Sequence, residues 1–326
     1  MLERLFNAAW YGPWQWTWLL YPLAMLVGFI TRRKRRQYLT NPPEPFSVPV
    51  IVVGNLTIGG TGKTPVVQSL VKFLQEQGYK PGIISRGYGG NLTEYPHLIS
   101  DQDTSQQVGD EPFMMYQALG VPIVVDPVRA RGVQCVLKND VNVVISDDGL
   151  QHYGLHRDIE VCVVDGSRGL GNGMLMPVGP LREDRERLND VDFILQSQSD
   201  SQDEGFDVEP VAWVNVSSGE VLALDALTIN PNAVAIAGIG NPAKFARTLD
   251  QIGVNCRCQW FPDHYDYKLE DLAGFSSQIL MTEKDAVKIR GFATKDMWYL
   301  QIQARLPNTF LNSVRSRLEI WESENG

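Results

Sequence analysis

Between Val50 and Pro65 the chain reads VIVVGNLTIGGTGKTP, and the residues that could do chemistry there are spaced for holding phosphate. Gly59, Gly60 and Gly62 stand directly before Lys63 and Thr64, after Val50 to Val53, a short β-branched run of the kind that forms a buried strand. Glycines let the backbone bend so that successive N–H groups along Thr57, Ile58, Gly59, Gly60, Thr61 and Gly62 point at phosphate oxygens. Lys63 would add a point charge near the outer phosphates, and the Thr64 hydroxyl a ligand for Mg²⁺. A helix is expected to start here, from Val66, Val67, Leu70, Phe73 and Leu74, and its N-terminus would add partial positive charge. One position departs from the general pattern: Thr57 stands where the first glycine is asked for. A glycine-rich turn with a chance lysine is the plain alternative, but a strand before and a helix after favour a nucleoside triphosphate site.

Such a loop needs a sheet to hold it. Gly82 to Ser85, Pro122 to Asp126, Val141 to Ser146, Ile159 to Asp165 and Phe193 to Leu195 read as further strands between helical stretches, which predicts an α/β fold with a doubly wound sheet of the P-loop type. Ligands in such sheets sit at the carboxyl ends of the strands. Asp147 and Asp148 follow VVIS, where an aspartate would meet the metal of a bound nucleotide, although Asp–Asp–Gly is also a common turn. Arg86, in SRGYGG, offers a cation on flexible backbone. Asp110 and Glu111, in GDEP, open a helix through Leu119, where Asp110 could equally be an N-cap. Gln151, His152 and Arg182 put polar groups in mixed segments and are expected to face substrate if they are more than a solvated surface.

The chain has 326 residues, 44% of them hydrophobic, with a formal net charge of −9, a globular composition and one that disfavours nucleic acid as a partner. Its cysteines show no zinc spacing and read as reduced thiols. The N-terminus is unusual: Leu5 to Thr31 carries no charge, Trp10, Trp14, Trp16 and Trp18 precede an apolar run, and a basic run Arg32 to Arg36 follows. The order of charge and apolar residues is wrong for a signal peptide. Gly12, Pro13 and Pro22 interrupt a possible span, so an interfacial or shallowly inserted helix is favoured, with a span or a soluble core helix as alternatives. All five basic residues are expected to meet anionic headgroups. The expected divisions are residues 1–40 as this helix with its basic flank, 41–209 as the nucleotide domain, 210–229 as a two-stranded linker including Val211 to Val216 and Val221 to Leu224, and 230–326 as a smaller α/β domain. Gln196 to Glu209 is polar and reads as an exposed loop. In Trp260–Tyr265, His264 is flanked by Asp263 and aromatics and could support a base across a cleft between domains.

GNLTIGGTGKTP, SRGYGG, VGDEP, SDDGLQH, LRE at Leu181 to Glu183, FPDHY and TEKDAVK, in this order, resemble the tetraacyldisaccharide 4'-kinases, the lipid A kinases of Gram-negative bacteria. The resemblance implies two α/β domains with the active site in the cleft between them. It also implies transfer of the γ-phosphoryl group of ATP, with Mg²⁺, to the 4'-hydroxyl of an acylated glucosamine disaccharide 1-phosphate at the cytoplasmic face of the inner membrane. On matching positions it makes Asp110 the base, His264 its partner, and Asp147, Asp148 and Glu111 the metal and acceptor-site carboxylates. No obligate protein partner is inferred from the sequence. The alternative from another class is a membrane-tethered P-loop ATPase acting as a switch.

Overall fold

In this computed structural model, which describes residues 2–13, 16–199, 201, 203–275 and 278–325, the expected strands join edge to edge in one continuous sheet. Its nucleotide half contains β1 (Val50–Gly54), β2 (Pro81–Ser85), β3 (His97–Leu98), β4 (Ile123–Val125), β5 (Val143–Asp147), β6 (Ile159–Val164) and β7 (Phe193–Ser197), ordered β7-β6-β1-β5-β2-β4-β3. Within it only β3 runs antiparallel, against β4. Every residue of β1, β2, β5 and β6 is buried, because helices cover both faces of a parallel sheet, and this is why these strands are mostly apolar without alternation; the exception within β6, Glu160, is paired with Arg157 and Arg187. The helix Lys63–Glu76 lays Val66, Val67, Leu70 and Leu74 on Ile51 and Val53. Truncating a fully buried residue such as Leu70 to alanine would cost about 2–5 kcal/mol.

The link to the second lobe differs from the expected linker. β8 (Gly205–Asn215) pairs its first two residues parallel with β7, then runs antiparallel to β13 (Met297–Arg305). A register shift opposite Gln301 and Ile302 falls at Pro210 and Val211, a bulge that tolerates proline's missing N–H. β13, not the stretch around Val221 to Leu224, is therefore the long second strand; that stretch supplies only β9 (Val221–Leu222), a hairpin partner of β8. The acidic stretch expected as a loop is β-structure at both its ends. Beyond β13 lie β12 (Ile279–Thr282), β10 (Val234–Ala237) and β11 (Arg257–Trp260), all parallel.

The expected unit 230–326 also divides. Helix Asn308–Asn325 returns to the nucleotide lobe, where Phe310, Val314 and Leu318 join the core of Leu70 and Leu74. Arg317 pairs with Asp192, and the Trp321 indole donates to Asp158 Oδ1 at 3.2 Å. Apolar spacing on this helix finds its complement on the first lobe, and that outweighs chain proximity.

At the N-terminus, helix Leu2–Tyr11 and a 3-10 turn Trp16–Leu20 lead into helix Tyr21–Thr40. Pro22 lies in that helix's first turn, where its missing N–H costs nothing, so it starts the helix instead of interrupting it. Trp14 lies outside the described residues. The Trp10 indole donates to Pro177 O at 3.0 Å and Thr17 Oγ1 to Val178 O at 2.9 Å, while Gly28 packs against the Leu175 methyl so closely that a Cβ there would push the leucine aside. The opposite face leaves Leu19, Leu23, Met25, Leu26 and Phe29 more than half exposed. Among the described residues no helix is long and apolar enough to cross a membrane. The basic run is split: Arg32 pairs with Asp184 at 2.9 Å and Arg35 with Asp190, leaving Arg33, Lys34 and Arg36 exposed, so the expectation that all five face headgroups is corrected.

Candidate active site

The phosphate loop leaves the end of β1 and enters helix Lys63–Glu76 through Gly62, whose φ of 90° is open to glycine without a Cβ clash. It is braced from outside by the segment around Leu181. Ile58 N donates to Pro180 O at 2.9 Å, Arg182 N to Leu56 O at 2.7 Å, and Thr57 bridges Leu181. From inside, Asn55 Nδ2 donates to Thr61 Oγ1 at 3.2 Å. Nothing lies within 4 Å of the position a Gly60 Cβ would take, so the mouth of the loop is open.

The acid pair stands beside it. β5 places Asp147 at its last position, and Asp148 follows with φ 50°, a left-handed conformation uncommon outside glycine and concentrated at functional sites. That turn aims Asp148 at Lys63 Nζ, 3.5 Å away, and at Arg182 Nη1, 3.0 and 3.1 Å from its two oxygens. Burial pushes the Asp148 carboxyl up, but Lys63 and Arg182 outweigh it and hold it below the usual range. Asp147 is different. Its Oδ1 is buried without a partner, and burial, together with the charges of Glu111 and Asp148, pushes its pKa to about 7 despite Lys63 and Arg129. Arg129, buried with its pKa lowered to about 10, donates to Asp147 O at 2.9 Å. Gln151 links the same wall, accepting from Arg182 at 3.4 Å and donating to Asn55 O at 3.1 Å. His152 is lowered to about 4 by burial and by Arg129 and Arg86, and is therefore neutral at physiological pH. Arg86 itself is exposed at the end of β2.

Four residues are expected to serve a metal, and the structure separates them. Thr64 and Asp147 present hard oxygen donors beside the open loop, and the orphaned Asp147 oxygen suits a cation. Asp148 is engaged by two cations, and Glu111 faces Lys284 Nζ at 3.4 Å in the second lobe. Among the described residues no three His, Cys, Asp or Glu side chains could hold a metal by themselves, whereas Mg²⁺ commonly binds through one or two carboxylates plus phosphate oxygens.

Across the cleft, Asp110 is the first residue of helix Asp110–Leu119, and Gly109, at φ 98°, takes the cap position. The N-cap alternative therefore fails: the carboxylate points to the other lobe. Asp110 Oδ2 accepts from His264 Nδ1 at 3.0 Å and lies 3.3 Å from Lys288 Nζ. Lys284 Nζ lies 3.4 Å from His264 Nε2, so a ring that donates from Nδ1 can accept at Nε2. Burial pushes Asp110 up, but the hydrogen bond from His264 and the charges of Lys288 and Lys284 overcome it and keep the carboxyl below its ordinary value. The two lysines thus add cationic charge to the hydrogen bond from His264, a contribution that the local sequence does not announce.

Local structure in the second lobe explains how they meet. Lys284 and Lys288 are one helical turn apart on helix Glu283–Ile289 and face the same way. The buried Asp285 accepts from Gly238 N and Tyr267 Oη, both at 3.0 Å, and His264 N donates to Gly238 O at 3.2 Å, which ties the His264 turn to that helix. Lys284, Lys288 and Arg129 are not singled out by local sequence. Arg129's place just past β4, at the carboxyl edge of the sheet, is the one signal that could have found it.

These features match known proteins over most of the chain. The profile of the tetraacyldisaccharide-1-P 4'-kinase family (LpxK) matches residues 16–319. The tetraacyldisaccharide 4'-kinase of Photobacterium profundum is 43% identical over 316 residues, 94% of this chain and 91% of that protein. That of Legionella pneumophila (strain Corby) is 39% identical, covering 96% and 97%. The structure of "apo" form LpxK from Aquifex aeolicus in complex with ATP superposes with a TM-score of 0.78 at 26% identity, covering 93% of this chain and 98% of that one.

Proposed function

The chain belongs to the tetraacyldisaccharide-1-P 4'-kinase family, and we propose from that premise how its residues perform the reaction. It is a kinase that transfers the γ-phosphoryl group of ATP to the 4'-hydroxyl of a tetraacyldisaccharide 1-phosphate in lipid A biosynthesis. The loop Thr57–Thr64 cradles the phosphates, and Lys63 neutralises charge as it builds on the outer ones. Thr64 and Asp147 would hold Mg²⁺, which supplies further charge neutralisation there. Asp148 acts through Lys63, keeping its ammonium directed along the loop, with Arg182 fixing Asp148 in turn. Glu111 sits where an acceptor sugar would pass between the lobes, and Arg86, Gln151 and neutral His152 line the same approach.

Asp110 accepts the proton of the acceptor hydroxyl. A sugar hydroxyl is a poor acid, and Asp110 with its lowered pKa is a weak base, so the proton moves late, as the oxygen–phosphorus bond forms and the bond to the ADP leaving oxygen breaks. His264 orients the carboxylate. The reading rests above all on the 3.0 Å contact between Asp110 and His264, which joins the two lobes beside the phosphate loop. Its test is turnover of ATP with and without the glycolipid acceptor, in the wild type, Lys63→Ala and Asp110→Asn. Lys63→Ala should abolish turnover, and Asp110→Asn should lower it by about 10²–10⁴-fold with ATP binding retained. Normal transfer by either variant would sink the assignment.

The enzyme works at the cytoplasmic face of the inner membrane as a peripheral or monotopic protein. Extracting acyl chains into water would cost about 0.8 kcal/mol per exposed CH₂, and the exposed apolar face of helix Tyr21–Thr40, flanked by Trp16 and Trp18, supports docking at the headgroup level instead.

A further inference from the structure

Arg168 stands beside the phosphate loop with no acid to neutralise it. It follows β6 in the turn Asp165–Gly166–Ser167, whose carboxylate is engaged by the turn itself: Asp165 Oδ1 accepts from Ser167 N at 3.0 Å and from Ser167 Oγ at 2.6 Å. The arginine backbone donates to Asp165 O at 3.2 Å, closing the turn. Its side chain reaches back over the loop. Nη1 lies 3.5 Å from the point a Gly59 Cβ would occupy, and Cζ lies 5.5 Å from the centre of the Tyr11 ring. Tyr11 in turn lies beside Thr57, so the arginine rests on an aromatic face next to the loop it overhangs. Among the described residues its guanidinium forms no ion pair and no hydrogen bond.

A half-buried guanidinium costs desolvation, which an unpaired side chain recovers only when an anion arrives. Arg168 overhangs the first half of the loop, while Lys63 closes its second half, so a polyphosphate threaded through the loop would have a cation on each side. A planar fork suits non-bridging phosphate oxygens, and an arginine supplied in cis at such a place stabilises the charge that develops as the terminal phosphoryl group leaves. We propose that Arg168 is a phosphate-contacting catalytic residue that donates N–H bonds to the γ-phosphoryl oxygens as transfer proceeds. It gives up no proton. The bond formed is from acceptor oxygen to phosphorus and the bond broken is from phosphorus to the β,γ-bridging oxygen. The proposal rests on the nucleotide reading of the loop given above.

The test compares Arg168→Ala, Arg168→Gln and Arg168→Lys with Lys63→Ala, measuring kcat with glycolipid acceptor, equilibrium binding of ATP and ADP by calorimetry, and melting temperature. Arg168→Ala should lower kcat by about 10³-fold, the lower end of the range for an arginine finger. It should also reduce the preference for ATP over ADP by at least about tenfold, because only ATP carries the contacted group; Arg168→Lys, keeping the charge without the fork, should recover most of the ATP preference but little of kcat. If Arg168→Ala fails to fold, the Gln and Lys variants carry the same comparison. The proposal is overturned if kcat stays within about threefold of wild type, or if ATP and ADP binding weaken equally. An inactive Lys63→Ala beside an active Arg168→Ala removes this proposal alone; an active Lys63→Ala removes the nucleotide reading with it.

Discussion

Replacing His264 by alanine should move the acid limb of the pH profile, and the direction follows from the contacts. Asp110 Oδ2 accepts from His264 Nδ1 at 3.0 Å, with Lys288 Nζ at 3.3 Å on the same oxygen. Burial alone would raise this carboxyl; the histidine bond and the two lysines bring it below its ordinary value. Each of those partners stabilises the ionised form, so removing one raises the pKa. A hydrogen bond to a charged group is worth roughly 1.5–3 kcal/mol, which at about 1.36 kcal/mol per unit is roughly one to two units. Water entering the space left by the ring would recover part of this, so about one unit is expected. A base works ionised, so in this role the acid limb of kcat/KM should shift to higher pH; because Asp110 starts below its ordinary value, the extra loss should be slight at pH 5 and should grow at about pH 4 and below. The loss remaining at pH 8 measures orientation of the carboxylate. Lys288→Met should shift the limb the same way, and the double variant should shift it by less than the sum, since the groups are coupled. The assay is kcat/KM for the glycolipid in mixed micelles between about pH 3 and 9, with melting followed in the same buffers. A uniform loss at every pH, with the limb unmoved, would refute the coupling and leave His264 a contact to substrate or a latch between lobes.

Three further outcomes can be checked. Asp110→Ala and His264→Ala should each lower kcat, with the double variant costing less than their product; multiplicative losses would mean the two act separately. Burial pushes Glu283 up to about 7 against the charge of Lys72, so the native state holds an extra proton between the unfolded value, about 4.3, and 7, and wild-type stability falls as pH rises through that window. Glu283→Gln should therefore raise the melting temperature at pH 8, by up to about 3 kcal/mol in stability, with no gain near pH 4; a lower melting temperature at pH 8 would contradict this. Leu19→Ser with Leu23→Ser and Phe29→Ser changes only exposed side chains, so sedimentation with vesicles should drop while melting and ATP binding hold, and undiminished sedimentation would move the membrane contact elsewhere.

What could be read in advance depended on how locally each feature is encoded. The phosphate loop is written within eight consecutive residues, and β1, β5 and β6 are mostly apolar because both their faces are covered. β8 begins in a polar stretch that reads as loop; it becomes strand by pairing with β13, a partner about ninety residues away, which no local pattern announces. Lys288 meets Asp110 only because the lobes face each other, so its lysine looked like any solvated charge. The N-terminal arginines show the same limit from the other side. A run of five cations reads as one patch, but helical periodicity turns Arg32 and Arg35 toward Asp184 and Asp190 and leaves Arg33, Lys34 and Arg36 outward. At about 1 kcal/mol per basic residue near an anionic surface, the proposed membrane attraction would come from three charges instead of five, while the other two fasten the helix to the segment that carries Arg182. Neutralising Arg33, Lys34 and Arg36 should then weaken binding to anionic vesicles at low salt and leave turnover of micellar substrate intact, whereas Arg32→Ala with Arg35→Ala should act on turnover or melting more than on vesicle binding. Equal effects of the two sets on both readouts would mean that the ion pairs to Asp184 and Asp190 do not hold in solution.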